Sequence, residues 1–508
     1  MLIADSKQTI HIDQELVSIE SVSSGQNLEK NSNMNVRKIL NMETDVMDAT
    51  SIPFLHDVGD IPLSEADEDE TSASLEIGDI PSVAAEVILS HLSWNEKLIV
   101  VLAIPQWRPH LQSSVAWPLV SYSGESSENL YFAKEKRTKL LVCLKQYGKY
   151  IKHFDVSFGF KIGRLGIQIL HAVAENCSSL QRFKICQEAL YQAFGDTIWK
   201  RSVVQAVCAI LTNCSNLNNV WVGSPLIDWS DSIENNIVMG ILNSNVAQKI
   251  TGLELTTNSL LEHENHLNLL TQFSHLRFLV IRREKVNNAI LLALVRQSLH
   301  EVTLHQDEEL PLAEAKELGV EFWKQVLTIC PQFKVNLVLK YIIVIKDTFP
   351  PNMPLKCLVL DDLANIVTKG VMDHLTENFN HVLESFTYTN SFLENFESGD
   401  KRLPYALVDM VKKCKNLHTV QYGFPLSSTS VLLMAHTRKL STLVIPSVEV
   451  SYEFDWPLDK EWSPDFVHWL KENGSDEATL ERAVSQLLGF EWELIYETLS
   501  LDKDIGYL

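Results

Sequence analysis

The chain has 508 residues, 45 % hydrophobic and 21 % charged, an ordinary balance for a folded protein of two to four domains or one long repeat array. No unbroken apolar run exceeds the seven residues of Leu98 to Ile104, and MLIADSKQT has no basic stretch ahead of an apolar core, so neither a membrane partner nor secretion is expected and the chain is expected in the cytoplasm or nucleus. A formal net charge of −22 argues against nucleic acid as a partner, because nothing offsets the repulsion from its phosphates.

That charge is concentrated at the start. Residues 1–79 hold 17 acidic and 4 basic side chains and include the run EADEDE, Glu65 to Glu70. A segment so polar cannot bury enough apolar surface to offset its ordering entropy, so 1–79 is expected to be a disordered acidic N-terminal segment. Within it Val58-Gly-Asp-Ile-Pro62 returns as Ile77-Gly-Asp-Ile-Pro81, and only the second copy leads into a helical apolar pattern.

That pattern is IPSVAAEVILSHLSWNEKLIVVLAIPQWRPHLQSSVAW, residues 80–117. Its periodicity predicts a helix ending at Ile88-Leu89-x-x-Leu92 and a second one carrying Leu98 and Leu102. Pro105 suits the first turn of a third helix, and Pro109 deletes one of its hydrogen bonds and shortens it. A block of about 40 residues buries too little surface to stand alone, so it needs a partner. Residues 121–139 are small, polar and finally basic, and predict a linker with Lys134, Lys136, Arg137 and Lys139 on a solvated face.

From about 140 to 450 one motif recurs. An apolar helical stretch runs through a polar turn into an apolar position, two spacers, a second apolar position, one spacer and a third. Examples are Ile151-Phe154-Val156, Leu180-Phe183-Ile185, Leu217-Val220-Val222, Leu299-Val302-Leu304 and Leu417-Val420-Tyr422. The pattern blurs at Phe333, and the spacing between units varies from 22 to 37 residues. Two apolar positions two apart face one side of a short strand. A strand plus a helix cannot bury its own apolar face, so the units must stack. This resembles leucine-rich repeats of the long, helix-containing kind and predicts an α/β fold, an irregular α/β solenoid with a strand-lined concave face. Outward strand residues there, among them Arg182, Lys184, Asn219, Trp221, Arg277, Thr303, Gln421, Thr442 and Val444, are candidates for recognising a partner.

Cys177, Cys214, Cys330 and Cys414 each precede a first apolar position by three residues, which points to buried packing rather than redox or metal chemistry. Residues 451–508 change character. Ser463 and Pro464 open a helix with Trp462, Phe466, Trp469 and Leu470 on one face, Asn473-Gly474 stops it, and a second helix carries Leu480, Val484, Leu487 and Leu488. The pair is expected as a helical C-terminal cap on the stack.

Residues 80–117 also resemble an F-box, 80–120 in extent. Ile80-Pro81 supply its opening pair, Ile88, Leu89 and Leu92 its helix end, Leu98 and Leu102 its second helix, and Trp107 and Trp117 lie 26 and 36 residues after Pro81. Val83 stands where that pattern has an acidic residue. The resemblance implies a three-helix module binding a Skp1-like adaptor, and through it a cullin, by Ile80, Pro81, Ile88, Leu89, Leu92, Leu98, Leu102, Trp107 and Trp117. An F-box followed by repeats implies a non-catalytic receptor that presents an unknown protein substrate to a ubiquitin ligase. Further likeness to the family lies in PLKCLVLDDL, LVDMVKKCKNLHTV and AVSQLLGFEWELI. No phosphate-cradling glycine loop, GxSxG or HExxH occurs, and the spacing in His263-Glu264-Asn265-His266 suits no common metal site, so no catalytic residue, metal or cofactor is expected. The other reading is a repeat scaffold without ligase assembly.

Overall fold

A computed structural model describes residues 80–496, apart from 125–129, 159–162, 187–196, 224–236, 245, 256–268, 284–285, 307–317, 341–344, 362–366, 390–401 and 458–461. The acidic segment 1–79 and the His263–His266 cluster therefore lie outside the described residues.

The N-terminal block is α1 (Ser82–His91), α2 (Trp94–Ala103) and a 3₁₀ segment (Pro105–Gln112). The third element is 3₁₀ rather than α because Pro105 opens it and Pro109 sits inside it without an N–H to donate. A strand–helix alternation follows: β1 (Leu119–Ser123), α3 (Leu130–Tyr147), β2 (His153–Ser157), α4 (Gly163–Asn176), β3 (Arg182–Cys186), α5 (Thr197–Asn213), β4 (Asn219–Gly223), α6 (Ile237–Leu242), β5 (Gly252–Leu255) and β6 (Phe278–Arg282). It continues with α7 (Asn288–Gln297), β7 (Glu301–Gln306), α8 (Val320–Ile329), β8 (Lys334–Leu339), α9 (Ile345–Thr348), β9 (Leu355–Asp361), α10 (Lys369–Phe379), β10 (Ser385–Thr389), α11 (Leu403–Lys413) and β11 (Thr419–Tyr422). The chain closes with β12 (Leu426–Ser427), α12 (Ser428–Thr437), β13 (Thr442–Val444), β14 (Val450–Ser451), α13 (Pro464–Asn473) and α14 (Glu477–Leu488).

Twelve of the strands form one sheet in the order β1 to β11 and then β13, with every neighbouring pair parallel. This is the α/β solenoid of stacked strand–helix units that the apolar spacing predicts. The array begins one unit earlier than expected. Ser121–Ser123 belong to β1 and helix α3 starts at Leu130, so most of the polar stretch read as a linker is regular structure. The reason lies in α3 itself, where Leu140, Cys143, Leu144 and Tyr147 form a buried face that its basic N-terminal half obscures. The basic side chains serve the fold: Lys136 donates to the Ser123 carbonyl, and Arg137 donates to the Tyr122 hydroxyl and the Phe158 carbonyl.

Strand register explains the spacing rule. Phe154, Phe183, Val220, Leu253, Leu279 and Val302 pair in succession and are buried against the helices. Burying each such side chain contributes roughly 1.5–3 kcal/mol. The first apolar positions, Ile151, Leu180, Leu217, Ile250, Leu276 and Leu299, form a second buried row where each helix turns into its strand. At that turn the cysteines take their place: the carbonyls of Cys177, Cys214, Cys330 and Cys414 accept from the N–H of Leu180, Leu217, Phe333 and Leu417 at 3.0–3.1 Å.

The blur at Phe333 has a structural cause. Asn336 occupies the position where an apolar residue belongs, and β8 instead turns Val335, Leu337 and Leu339 inward. Asn336 faces the other way, its Nδ2 donating to Glu301 at 2.7 Å and Thr303 at 3.1 Å. A register irregularity between Val335 and Asn336 passes this offset to β9, so Leu358 aligns with Leu337 and Leu304 rather than with Val302.

The seven cysteines described are free. Burial pushes the thiol of Cys143 up to about 12, that of Cys214 to about 12 and that of Cys414 to about 11, and raises that of Cys177 likewise. Since the thiolate is the reactive form, these four are expected to resist iodoacetamide in the native chain and to label fully in denaturant. Peptide mass mapping checks this, and native labelling of Cys177 or Cys214 at the rate of a free thiol would contradict the buried turn.

Candidate partner-docking site

The block is built from local signals. Pro81 precedes the first turn of α1, and the helix ends where Leu92 turns extended at ψ 150°. Ser93 then starts α2 through a capping box: its Oγ accepts from the Glu96 N–H at 3.3 Å and Glu96 Oε2 accepts from the Ser93 N–H at 2.8 Å. These bonds to the charged form hold the Glu96 carboxyl below its ordinary value. Across the block, Ser113 donates to Glu86 at 2.8 Å, and Ser82 Oγ meets His110 Nδ1 at 3.1 Å.

Each helix has one buried face. Ala85 and Leu89 point inward from α1; Trp94, Lys97 and Val101 do so from α2, and Trp107 and Leu111 from the 3₁₀ segment. Trp117 is fully buried at the junction with the solenoid. Its Nε1 donates to the Leu111 carbonyl at 2.7 Å, and its ring stacks on Tyr147 of α3 with centroids 5.2 Å apart.

The nine residues predicted to meet an adaptor therefore divide by burial. Leu89, Trp107 and Trp117 are interior and form the block's own core. Ile80, Leu92 and Leu98 are half-buried. Pro81, Ile88 and Leu102 are exposed. Beside them lie three exposed apolar side chains that sequence reading did not assign: Val83, Val87 and Ile99. Ile99 could not be placed because Leu98 to Ile104 is apolar throughout and has no helical phase to read. Of the twelve large hydrophobic side chains exposed among the described residues, five (Val83, Val87, Ile88, Ile99 and Leu102) fall on α1 and α2. A concentration of this kind marks an interaction surface.

A second candidate surface is the sheet face opposite the buried row. Alternation along the strands puts Arg182, Lys184, Asn219, Trp221, Thr303, Gln421, Thr442 and Val444 there, as expected. Arg277 is the exception. It precedes β6 and its N–H and carbonyl belong to the backbone ladder at the turn, so Phe278 takes its row. On this face the Arg182 guanidinium lies 4.1 Å from the Trp221 ring centroid and the Lys184 amine 5.1 Å, while Arg182 also pairs with Asp155 at 3.1 Å. Lys356 pairs with Glu301 at 3.2 Å beside Asn336. Charges of both signs alternate here around a buried tryptophan, an arrangement suited to polar protein surface.

Among the described residues no group of three or more His, Cys, Asp or Glu could hold a metal ion, and no helix is long and apolar enough to cross a membrane.

No family model matches the chain, and no curated protein matches it. Among solved structures, a chain of the crystal structure of the Rad7 and Elc1 complex in yeast is similar at 12 % identity, over 85 % of this chain and 95 % of that one, with a TM-score of 0.41.

Proposed function

We propose that the chain is a non-catalytic substrate-recognition subunit of a ubiquitin ligase of the Skp1–cullin–F-box type. It docks on a Skp1-like adaptor through α1 and α2 and offers a protein substrate the sheet face of its solenoid. The observation that carries this reading is the exposed apolar stripe on a block whose sequence resembles an F-box. Val83, Val87, Ile88, Ile99 and Leu102 are 42–73 % exposed, so covering each would add about that fraction of the roughly 1.5–3 kcal/mol that full burial is worth, against the cost of association. The stretches PLKCLVLDDL, LVDMVKKCKNLHTV and AVSQLLGFEWELI in the C-terminal half resemble F-box only protein 33. Such a subunit works in the cytoplasm or nucleus and needs no cofactor.

The test is co-purification with Skp1 from cells expressing the full chain. Ile99→Asp and Leu102→Asp change side chains that are 56 % and 62 % exposed, so the fold is expected to survive while adaptor binding falls at least 100-fold. Intact wild-type protein without Skp1 would sink the ligase reading and leave the repeat scaffold.

A further inference from the structure

Helix α2 has an unusual polarity. Its inward face reads Trp94, Lys97, Val101, while Ile99 and Leu102 face solvent. Lys97 is fully buried at the seam between the block and the solenoid, and its Nζ has no hydrogen-bond partner. What it meets is the Trp117 ring, 5.1 Å from the amine to the ring centroid.

Among the described residues no carboxylate pairs with it, and the charge of Glu96 offsets only a little of the burial penalty. The other ionisable groups around the seam are Glu96 on α2 itself, Cys143 and Tyr147 on α3, and Arg108 on the 3₁₀ segment. Glu96 is exposed and engaged in the capping box. Burial pushes the Cys143 thiol up to about 12 and raises the Tyr147 hydroxyl, so both stay neutral. A cation–π contact offsets only part of the cost of holding an ammonium out of water.

We propose that Lys97 makes the seat of the N-terminal block on α3 a proton-controlled latch, which the protonated amine loosens and the neutral amine closes. The geometry names the moving parts. Opening the seam lets Lys97 reach water, separates Trp117 from Tyr147 and frees α1 and α2 from the solenoid. The latch acts on the same block as the docking stripe, but it stands on the buried seam alone and holds whether or not the adaptor is Skp1.

The sign follows from linkage. Burial lowers the Lys97 pKa from 10.5 to about 8, so between those values the open form binds more protons than the seated form. Seating therefore strengthens as pH rises from about 8 toward 10.5, and below about 8 the full penalty is present. Opening is expected to fall about tenfold between pH 7 and pH 9.

Hydrogen exchange on the full chain, corrected for intrinsic rates, reads this directly. In the wild type, peptides within 82–112 should gain about tenfold protection from pH 7 to pH 9, with the strands of the solenoid unchanged. Lys97→Met should be protected at least tenfold more than wild type at pH 7 and lose the pH response. Lys97→Arg keeps the charge at both values and should show at both the lower protection of the wild type at pH 7. Equal protection of wild type and Lys97→Met at pH 7, or a gain spread evenly over the solenoid, would overturn the latch. So would a pH response retained in Lys97→Arg.

Discussion

Replacing Trp117 with alanine is expected to unseat the N-terminal block and to cost about 3–5 kcal/mol, the range for emptying a buried large aromatic site. Trp117 is fully buried and joins three parts of the molecule. It donates to Leu111 at the end of the 3₁₀ segment, stacks on Tyr147 of α3 and lies under Lys97 of α2. Alanine removes the stack and leaves the Leu111 carbonyl without its donor in a closed interior. Denaturation should then show an early transition confined to residues 80–117, with trypsin cutting there before it cuts the strands. Trp117→Phe keeps an aromatic ring against Tyr147 and should lose about 1–3 kcal/mol for the unmade hydrogen bond. A single unshifted transition in Trp117→Ala would show that the block is held by other means.

The second large effect belongs to the opposite end. Helix α12 is buried on nearly every side, from Ser428 through Ala435, and cannot stand against water. It lies between α11 and α14, and the inward face of α14 is Leu480, Ala483, Val484 and Leu488. Beyond α14, Trp492 donates to the Leu443 carbonyl at 2.7 Å, and Ile495 exchanges backbone hydrogen bonds with Ile445 and Ser447. Leu480 is fully buried in the apolar core, so Leu480→Asp takes a carboxylate out of water and is expected to cost more than about 4 kcal/mol. Removal of residues 464–508 should be worse, uncovering α12 along its length, and the truncated chain is expected to aggregate. Size-exclusion chromatography with light scattering distinguishes the outcomes. A soluble monomeric truncation would mean that the last units need no cover.

Much of this architecture is written in the apolar spacing. Leu180-Phe183-Ile185 and its counterparts specify a strand facing one way, and Ser463 and Asp476 place their helices because each side chain accepts a backbone N–H three residues on. Gly489, which sequence reading did not single out, closes α14 at a φ of 84° that suits glycine. Features that depend on a third dimension were not legible. Helix α3 hides its apolar face behind a basic start, β8 is displaced by a single asparagine, and the direction of each side chain on α2 is lost in a continuous apolar run. The residues expected to dock an adaptor show the limit most clearly. Spacing located Trp107 and Trp117 but could not tell an anchor for a partner from an anchor for the block itself, because both are apolar residues on a helical module. Lys97 gave no signal at all, being one lysine in a charged Asn-Glu-Lys turn.

The sequential order of the strands also governs how the chain is assembled. Within the twelve-stranded sheet each strand takes its partner from the unit synthesised just before it, while the short β12 stands aside to pair with β14. Loop closures therefore span about one unit apiece, and the entropy lost at each step stays small although the finished sheet is twelve strands wide. Such an array can grow on its own edge as a template, each completed layer offering hydrogen-bonding groups and an apolar row to the next. During translation the amino-terminal units can be in place while the carboxy-terminal ones are still unmade. The last layer alone has no successor, and until α14 arrives it is the point at which a nascent chain is most open to capture by another.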